Sequence, residues 1–284
     1  MSEQKFIEIS ESSFVDSDYK VVFSKLGLTS IDAVFSFNAG KNLAKDNLAR
    51  FRTRLQFEIS PPSITVFLKR YDKPPILTQL KNWLSARRRV SCAFLGLRSA
   101  NELAEAGINT PKTLFYGQQW GILFEKRSFI ITEKIPNAES LERKLPDYFN
   151  GPTSAENLKL RRNFTAQLAD FIRKFHQTNY RHRDLYFSHI FYSNSSEFYL
   201  IDLARAFKPI LQRQRFRLKD IAQVYYSAPA SLFSNTDRLR FYLGYVARDK
   251  LNCKDKVFIQ RVLNKARRMA RHDRKHDRPV PVEG

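Results

Sequence analysis

The sequence predicts an α+β fold of two lobes, a strand-rich lobe over residues 1–135 and a helical lobe over residues 136–284. Two observations lead to this division: short segments with strand patterning dominate the first half, and long segments with helical spacing of apolar residues fill the second. The 284 residues, 43% of them hydrophobic, provide enough apolar side chains for a core in each lobe. Such a composition excludes a disordered basic tail.

The elements of the first lobe follow from apolar patterning and from breakers between segments. Clusters or alternation of β-branched and aromatic residues favour strands, whereas spacings of three and four favour a helix. Gly107, followed by Pro111, marks the end of the helical stretch, and Pro136 ends the last strand. The predicted strands cover residues 32–37, 49–59, 64–71, 113–116, 121–124 and 128–135, and the predicted helical stretch covers residues 76–106.

Helical patterns dominate the second lobe. The longest has apolar residues from Leu160 to Phe175 on one helix face. Two short strands interrupt the helices, and Pro and Gly residues mark a loop over residues 146–155. The predicted helices cover residues 140–145, 158–178, 216–227, 235–250 and 254–275, and the predicted strands cover residues 190–192 and 198–202.

The chain is strongly basic, because 49 Lys and Arg against 28 Asp and Glu give a formal charge of +21. This excess predicts an anionic partner, and nucleic acid, acidic lipid head groups and phosphorylated glycans all fit it. The simpler alternative is that the charge only maintains solubility. The last basic cluster is a candidate membrane-surface contact, or else a solvated helix face. The clusters comprise residues 87–89, then Arg213, Arg215, Arg217 and Lys219, and residues 261–278.

The cysteine content and the hydropathy of the chain limit its environment. With only Cys92 and Cys253, a disulfide scaffold and a Cys-based zinc site are excluded, and a reducing compartment is favoured. The first residues contain no apolar segment of signal-peptide length, and no run of about 18 apolar residues exists. We therefore expect a cytoplasmic chain with no transmembrane segment.

The stretch over residues 180–206 carries the strongest chemical signal. It has Asp184 directly after a long helix, in His182-Arg183-Asp184, and Asp202 at the end of a predicted hairpin, 18 residues later. Phosphoryl transfer needs one carboxylate to orient the acceptor hydroxyl and another to hold Mg²⁺ against the phosphates. A hairpin between the two would place them at one end of a cleft. The alternative is that both are turn acids paired with arginines such as Arg205.

The first lobe supplies cations that suit a phosphate-bearing substrate. Lys69 ends the third strand on the same face as Phe67, where it could pair with nucleotide phosphates. The loop over residues 38–46 would cover these phosphates, with Gly40 allowing close backbone approach and Lys41 adding charge. Taken alone, a lysine such as Lys69 is more often a solvated residue at a strand end.

Six motifs together carry a family resemblance over roughly residues 30–250. The motifs are FLKRYDKPP (67–75), AGINTPKTLFYG (106–117), SFIITEKIPNAESLE (128–142), HRDLYFSHIFY (182–192), LIDLARA (200–206) and RLKDIAQVYYS (217–227). With these motifs the chain resembles the bacterial lipopolysaccharide core kinases, the heptose and Kdo kinases, which have a protein-kinase-like fold. The resemblance implies phosphorylation of a sugar hydroxyl of the lipopolysaccharide inner core.

The resemblance implies ATP and Mg²⁺ as cofactors and assigns roles in the second lobe. Asp184 matches the catalytic base, with Arg183 offsetting charge on the acceptor, and Asp202 matches the Mg²⁺ ligand. His189 stands where protein kinases have the Asn for a second metal. An imidazole can bind a metal, but it is a less natural Mg²⁺ ligand than an oxygen. The alternatives are therefore that His189 binds the metal, contacts a phosphate or orients Asp202.

The remaining implied roles concern the nucleotide and the support of the loop. Lys69 matches the lysine that pairs with the α- and β-phosphates, and residues 131–135, with Glu133 among them, match the hinge that reads adenine. Asp220 resembles the acid that braces the catalytic loop from a helix, although a plain structural hydrogen bond is the alternative. The short stretch after Asp202 argues against an activation loop of the protein-kinase type.

One departure from the family pattern concerns the partner of Lys69. The helix glutamate that should pair with this lysine falls near Gly96, and Glu102 and Glu105 are the nearest acids on that helix. Glu102 is the candidate to complete the nucleotide site. Either acid could instead be a solvated helix residue, which leaves a weak or degenerate kinase open.

Three rival functions remain at this point. A pseudokinase that docks on anionic lipid would explain the missing glutamate, and a protein kinase would use the same site. A nucleic-acid-binding protein has only the charge in its favour, because no recognised nucleic-acid motif is present. We expect lipopolysaccharide core or a related anionic glycolipid as partner, peripheral contact with the cytoplasmic face of the inner membrane, and no nucleic acid.

Overall fold

The computed structural model describes residues 5–43, 49–149 and 154–283. Contacts divide the chain into two compact units, the first made of Met1–Glu102 and Pro111–Pro136, the second of Leu103–Thr110 and Asn137–Gly284. The short segment Leu103–Thr110 belongs to the second unit although the sequence places it in the first lobe. One reason is a main-chain hydrogen bond of 3.0 Å that the N–H of Leu200 donates to the Asn109 carbonyl.

A seven-stranded antiparallel sheet forms the first unit, in the order β1-β2-β6-β7-β5-β4-β3. The strands predicted at residues 49–59, 64–71 and 128–135 are confirmed with small shifts of their ends. The separate strand predicted at residues 121–124 is wrong, because β6 continues to Trp120 and a turn closed by Gly121 N–H to Phe124 O follows. The strands are β1 Phe6–Ser10, β2 Ser13–Asp16, β3 Lys41–Asn42, β4 Arg52–Ile59, β5 Ile64–Asp72, β6 Thr113–Trp120 and β7 Glu125–Glu133.

Four helices accompany this sheet, and one of them corrects the sequence prediction. Residues 32–37 were predicted as a strand, but residues 32–36 lie in helix α2, where the Ser30 hydroxyl caps the first turn by accepting from Ala33 N–H. The single helix predicted over residues 76–106 is two helices, because the chain turns at Arg87 with a positive φ of 55°. The helices are α1 Lys20–Lys25, α2 Ile31–Ser36, α3 Ile76–Ala86 and α4 Cys92–Glu105.

The two faces of the sheet pack against different helices. On one face, β5 residues such as Leu68 join the core that also contains Phe23 of α1 and Val34 of α2. On the other face, Tyr71 packs with Ala93 and Leu97 of α4. Because side chains alternate along a strand, residue 69 points to the face that α4 covers.

Helix α4 is anchored at its first turn by a buried carboxylate of β7. The Glu125 side chain, 3% exposed, accepts the N–H of Cys92 at 2.9 Å, and the Ser128 hydroxyl accepts the N–H of Ala93 at 3.1 Å. That hydroxyl in turn donates to Glu125 at 2.5 Å. From α3, Gln79 accepts the main-chain N–H of Glu125 at 2.8 Å. These bonds occupy donors at the start of α4 that have no partner within the helix.

The second unit is helical, with a three-stranded antiparallel sheet in the order β10-β9-β8. Its predicted helices and strands are confirmed with shifts of their ends. Helix α6 packs on α8, and α7 packs on α9. Among the described residues, no helix is long and apolar enough to cross a membrane. The elements are β8 Ala138–Ser140, α5 Leu141–Tyr148, α6 Ala155–Gln177, β9 Ile190–Ser193, β10 Phe198–Leu200, α7 Arg213–Ser227, α8 Asn235–Val246 and α9 Cys253–Lys275.

One face of α7 supports the irregular segment between α6 and β9. Residues 220, 223 and 227 recur at spacings of three and four, so they share a helix face. A segment without regular structure must find partners for its N–H groups elsewhere, and this face provides them. Asp220 is fully buried. The acceptors are Asp220 for His182 N–H (2.9 Å) and Arg183 N–H (2.9 Å), Gln223 for Leu185 N–H (3.0 Å), and Ser227 for Phe187 N–H (3.1 Å).

The environment of Glu125 predicts a pH effect on stability. Burial raises the pKa of this carboxyl, and the hydrogen bonds from Ser128 and Cys92 oppose the shift. A raised pKa means that the folded chain retains a proton that the unfolded chain has released, so stability falls as pH rises through the window above the ordinary value. In urea unfolding at several pH values, Glu125→Gln should lose this decline, whereas Glu58→Gln on the exposed side of β4 should keep it. Equal pH slopes in wild type and Glu125→Gln would contradict the assignment.

Removal of the Asp220 carboxylate should destabilise the second unit. Asp220→Ala leaves two main-chain N–H groups buried without an acceptor, a change that we expect to cost ~2–4 kcal/mol of unfolding free energy. Urea denaturation measures this cost. Asp249→Ala, at an exposed position, is the matched control and should change stability by less than about 0.5 kcal/mol. A cost below about 1 kcal/mol for Asp220→Ala would show that the loop is held by other contacts.

Candidate active site

Asp184 lies in the segment that α7 supports, between two cations. Its Oδ2 accepts a hydrogen bond from Arg205 Nη1 at 2.5 Å, and its Oδ1 lies 3.8 Å from the ammonium of Lys219. The side chain is 22% exposed, so it is reachable from solvent. Because Arg205 occupies one oxygen, Oδ1 is the oxygen with room for a further donor.

The ring of His189 is oriented by the backbone of the same loop. Its Nδ1 lies 2.7 Å from the main-chain oxygen of Asp184. A carbonyl oxygen only accepts, so Nδ1 donates this hydrogen bond, and Nε2 takes no part in it. A ligating histidine is typically held in this way through its second nitrogen.

His182 ties the Asp184 segment to the Asp202 segment. Its buried ring donates from Nε2 to the main-chain oxygen of Ile201 at 2.9 Å. Burial lowers the pKa of His182, which keeps the ring neutral. The ring also stacks on His189, with 5.7 Å between centroids. His182 is therefore a structural link and carries no charge at neutral pH.

Asp202 lies at the same end of the β9–β10 hairpin as His189. Ile190 pairs with Leu200 in the register, and Ile201 N–H donates to the His189 carbonyl at 3.1 Å. Asp202 follows with a positive φ of 58° and begins a single 3-10 turn. The second unit therefore places Asp184, His189 and Asp202 on adjoining segments, and their joint action in one site stays a prediction.

These residues fit a magnesium ion that is held mainly by its substrate. Among the described residues, no group of three or more His, Cys, Asp or Glu side chains could hold a metal. Mg²⁺ often binds through one or two carboxylates, with substrate phosphates and water completing its shell. The carboxylate of Asp202 and the free Nε2 of His189 suit that mode.

Lys69, in the first unit, lies on the sheet face covered by α4. It is opposite Ile130 in the register, and Ile130 packs with Leu97 of α4. The turn of α4 beside this strand position therefore carries Gly96 and Leu97 and no acid. Glu102, five residues after Leu97 on the same helix, accepts from Arg98 Nε at 2.7 Å. Pairing of Glu102 with the lysine stays a prediction.

Gly40 has a local structural reason to be glycine. Its φ is +126°, and a Cβ there would lie 2.6 Å from the main-chain oxygen of Gln56 in β4. Lys41 follows in β3 and is exposed. Residues 44–46 of the predicted phosphate loop lie outside the described residues. Contact of Gly40 and Lys41 with phosphates stays a prediction.

The segment predicted to read adenine has part of its backbone engaged. The N–H of Glu133 donates to Lys112 O, and the N–H of Lys134 donates to Thr65 O, both at 2.9 Å. Burial raises the pKa of Glu133, and Lys112 opposes this shift. Neither N–H group is therefore available to a base, and reading of adenine by this segment stays a prediction.

The structure also changes the picture of the cations near Asp184. The guanidinium of Arg183 lies 5.3 Å from the ring centre of Phe207. Arg205 and Lys219, which were not predicted as site residues, are the cations that face the Asp184 carboxylate. Lys219 directly precedes Asp220 on α7, and this adjacency is the one sequence signal that could have indicated Lys219 as a site residue.

Comparison with known proteins agrees with the motifs. The model of the Lipopolysaccharide kinase (Kdo/WaaP) family matches residues 52–245. The lipopolysaccharide core heptose(I) kinase WaaP of Escherichia coli K12 is 30% identical over 201 residues, which cover 68% of this chain and 74% of that protein. A second Escherichia coli WaaP is 28% identical over 220 residues, covering 74% and 81%.

A solved structure supports the fold prediction. The structure of WaaP in complex with acyl carrier protein has a TM-score of 0.69 and 22% identity, and covers 91% of this chain and 99% of that chain. This likeness confirms the predicted protein-kinase-like α+β fold. Since the family model spans more than half of the sequence, the chain belongs to the lipopolysaccharide kinase (Kdo/WaaP) family.

Proposed function

We propose that this kinase transfers the γ-phosphoryl group of ATP to a heptose hydroxyl of the lipopolysaccharide inner core. Membership of the family establishes a phosphotransferase, and the names of the relatives favour heptose over Kdo as the acceptor. The observation that carries the proposal is the joint placement of Asp184, His189 and Asp202 at one end of the β9–β10 hairpin.

Asp184 orients the acceptor and takes its proton. Arg205 holds Oδ2 at 2.5 Å, which fixes the carboxylate and leaves Oδ1 to accept the sugar O–H. Proton transfer to this oxygen would produce the alkoxide character that attacks phosphorus. The position of the base is set by Asp220, which receives the two N–H groups just before it.

Arg205 and Lys219 supply positive charge where phosphoryl transfer concentrates negative charge. Lys219 is half-buried, and burial lowers the pKa of its ammonium while Asp184 opposes the shift. Its ammonium also donates to the Arg183 carbonyl, so it is held in place. Preorganised cations of this kind stabilise charge on the transferring group without rearrangement.

Mg²⁺ would be held by Asp202, with Nε2 of His189 as a second ligand or a phosphate contact. When bound, the ion would neutralise charge on the β- and γ-phosphates. Lys69 is the proposed phosphate contact from the first unit, with Gly40, Lys41 and Glu133 near the nucleotide.

We also propose acyl carrier protein as a partner and the membrane surface as a site of peripheral contact. The related WaaP structure contains acyl carrier protein. In the second unit, an apolar cavity of about 490 Å³ is bordered by residues such as Leu168, Phe187, Val224 and Leu263, the chemistry that an acyl chain requires. Co-purification of the two proteins tests the first proposal, and flotation with vesicles tests the second.

Loss of the Asp184 carboxylate should abolish phosphotransfer. Asp184→Asn keeps the side-chain shape but removes the base, and we expect the rate to fall by on the order of 10²–10⁴. Phosphorylation of purified lipopolysaccharide with labelled ATP measures it. Asp249→Asn is the control, and melting temperature confirms folding. Transfer at the wild-type rate in Asp184→Asn would remove Asp184 from the mechanism.

Nucleotide binding distinguishes a working kinase from a pseudokinase or lipid-docking module. ATP with Mg²⁺ at about 100 times Kd should stabilise the chain by about 2.7 kcal/mol in thermal unfolding. Asp202→Asn should keep the ATP effect but lose the increment from Mg²⁺. A chain that shows neither a shift nor phosphotransfer would support the module.

The acceptor can be identified from truncated substrates. Lipopolysaccharide that ends in Kdo lacks the proposed heptose hydroxyl, so labelled phosphate should appear only on acceptors that contain heptose. Equal labelling of both acceptors would assign the reaction to Kdo instead.

A further inference from the structure

A cavity of about 1160 Å³ in the second unit lies apart from the proposed active site. It opens where α6 and α8 end and α7 and α9 begin, and none of residues 182–189 borders it. Asp255 is the one carboxylate among the described residues that line it. Its cations are Arg173, Arg181, Arg215, Arg217, Arg248, Lys254 and Arg261.

Most of these cations have no acidic partner. Arg248 pairs with Asp255 at 2.8 Å, and Arg173 pairs with Asp170. In the described part of the chain, the other five make no salt bridge within 4.0 Å: Arg181, Arg215, Arg217, Lys254 and Arg261. Five positive charges without a salt bridge around one concave space produce a field that attracts an anion.

Of these five cations, Arg181 is the one whose charge is costly to bury, because the residue is only 7% exposed. Its Nη1 donates to the carbonyl oxygens of His176 (3.0 Å) and Tyr180 (2.5 Å). Its buried Nε has no hydrogen-bond partner among the described residues. Burial lowers the pKa of Arg181, with Tyr245 and Asp220 opposing the shift. A buried cation held only by neutral acceptors is costly, and an anion nearby would offset that cost.

The side chain of Arg217 is fixed by two aromatic contacts and one hydrogen bond. Its guanidinium lies 5.0 Å from the ring centres of both Tyr245 and Phe258, and its Nε donates to the Tyr245 hydroxyl at 2.7 Å. The two Nη groups make no hydrogen bond within the described residues, so the planar fork is left for a ligand. Arginine forks of this kind match the oxygens of a phosphate group.

We propose that this cavity is a second anion site, and that it binds a phosphate group through Arg217, Arg261 and the neighbouring cations. Its concave shape favours a compact phosphate over the flat acidic surface of a protein, whose carboxylates could not reach the buried Arg181. The phosphate belongs to a soluble compound or to a lipid head group, which share the same binding chemistry. The site is independent of the proposed sugar acceptor.

A chain of hydrogen bonds joins this site to the loop that carries Asp184. The Tyr245 hydroxyl, which accepts from Arg217, lies 2.7 Å from Nδ1 of His176, and Nε2 of His176 lies 3.3 Å from Asp220. Burial lowers the pKa of His176, so the ring is neutral. Its Nδ1 then accepts from the Tyr245 hydroxyl, and its Nε2 donates to the Asp220 carboxylate. An anion on Arg217 should therefore slow amide exchange at His182 and Arg183, whose N–H groups rest on Asp220.

The test is equilibrium dialysis of labelled inorganic pyrophosphate against the full chain. A non-hydrolysable ATP analogue in excess fills the nucleotide site, so that only a second site is counted. We expect one pyrophosphate per chain. Arg217→Gln should weaken binding at least tenfold, and Arg261→Gln about threefold. The control Arg271→Gln removes the same charge from α9 about 15 Å further along and should change affinity less than twofold.

Two further measurements separate the sources and the alternatives. Arg217→Lys retains charge without the fork and should bind with intermediate affinity, and melting temperatures confirm that each variant folds. Vesicles of phosphatidic acid, with phosphatidylcholine vesicles as the control, identify a lipid source if their binding needs Arg217 and free pyrophosphate does not bind. No binding of either probe, equal affinity in Arg217→Gln and Arg271→Gln, or binding only to an acidic protein would overturn the proposal.

Discussion

The site depends on one buried carboxylate, that of Asp220. The segment after α6 contains no α-helix or β-strand before β9, so most of its N–H groups need acceptors from another element. Asp220 accepts two of them at 2.9 Å from His182 and Arg183. Because these residues directly precede Asp184, the position of the proposed base depends on a side chain of α7, which lies almost 40 positions later in the sequence. A fully buried charge is stable there only while these donors satisfy it.

Both units contribute to the net charge of +21, and part of it in the second unit surrounds places where anions are expected. Arg205 and Lys219 flank Asp184, where a phosphoryl group would pass. A separate group of arginines surrounds the cavity beside Arg217 and Tyr245. The two groups are connected through buried hydrogen bonds, so an anion at one place can influence the rigidity of the other. The positions of these two groups of cations therefore suit anion binding better than a general role in solubility.

In the first unit, the alternation of side chains correctly predicted the strand that carries Lys69, because period-two patterning is local. The prediction over residues 32–37 was wrong, since a short apolar run fits a buried helix turn as well as a strand. Only the cap at Ser30 distinguishes the two. The anchoring of α4 by Glu125 and Ser128 had no local signal, because the donors are the N–H groups of Cys92 and Ala93, more than 30 residues earlier.

The sequence by itself determined the two kinds of lobe, the spacing of Asp184 and Asp202, and the family. These depend on short-range patterns and on motifs that keep their order along the chain. The tertiary structure decided which cations face Asp184, which acceptors support its loop, and that Arg217 joins Arg181 and Arg261 around one cavity. Such contacts join residues tens of positions apart, and only the packing of helices brings them within hydrogen-bond distance.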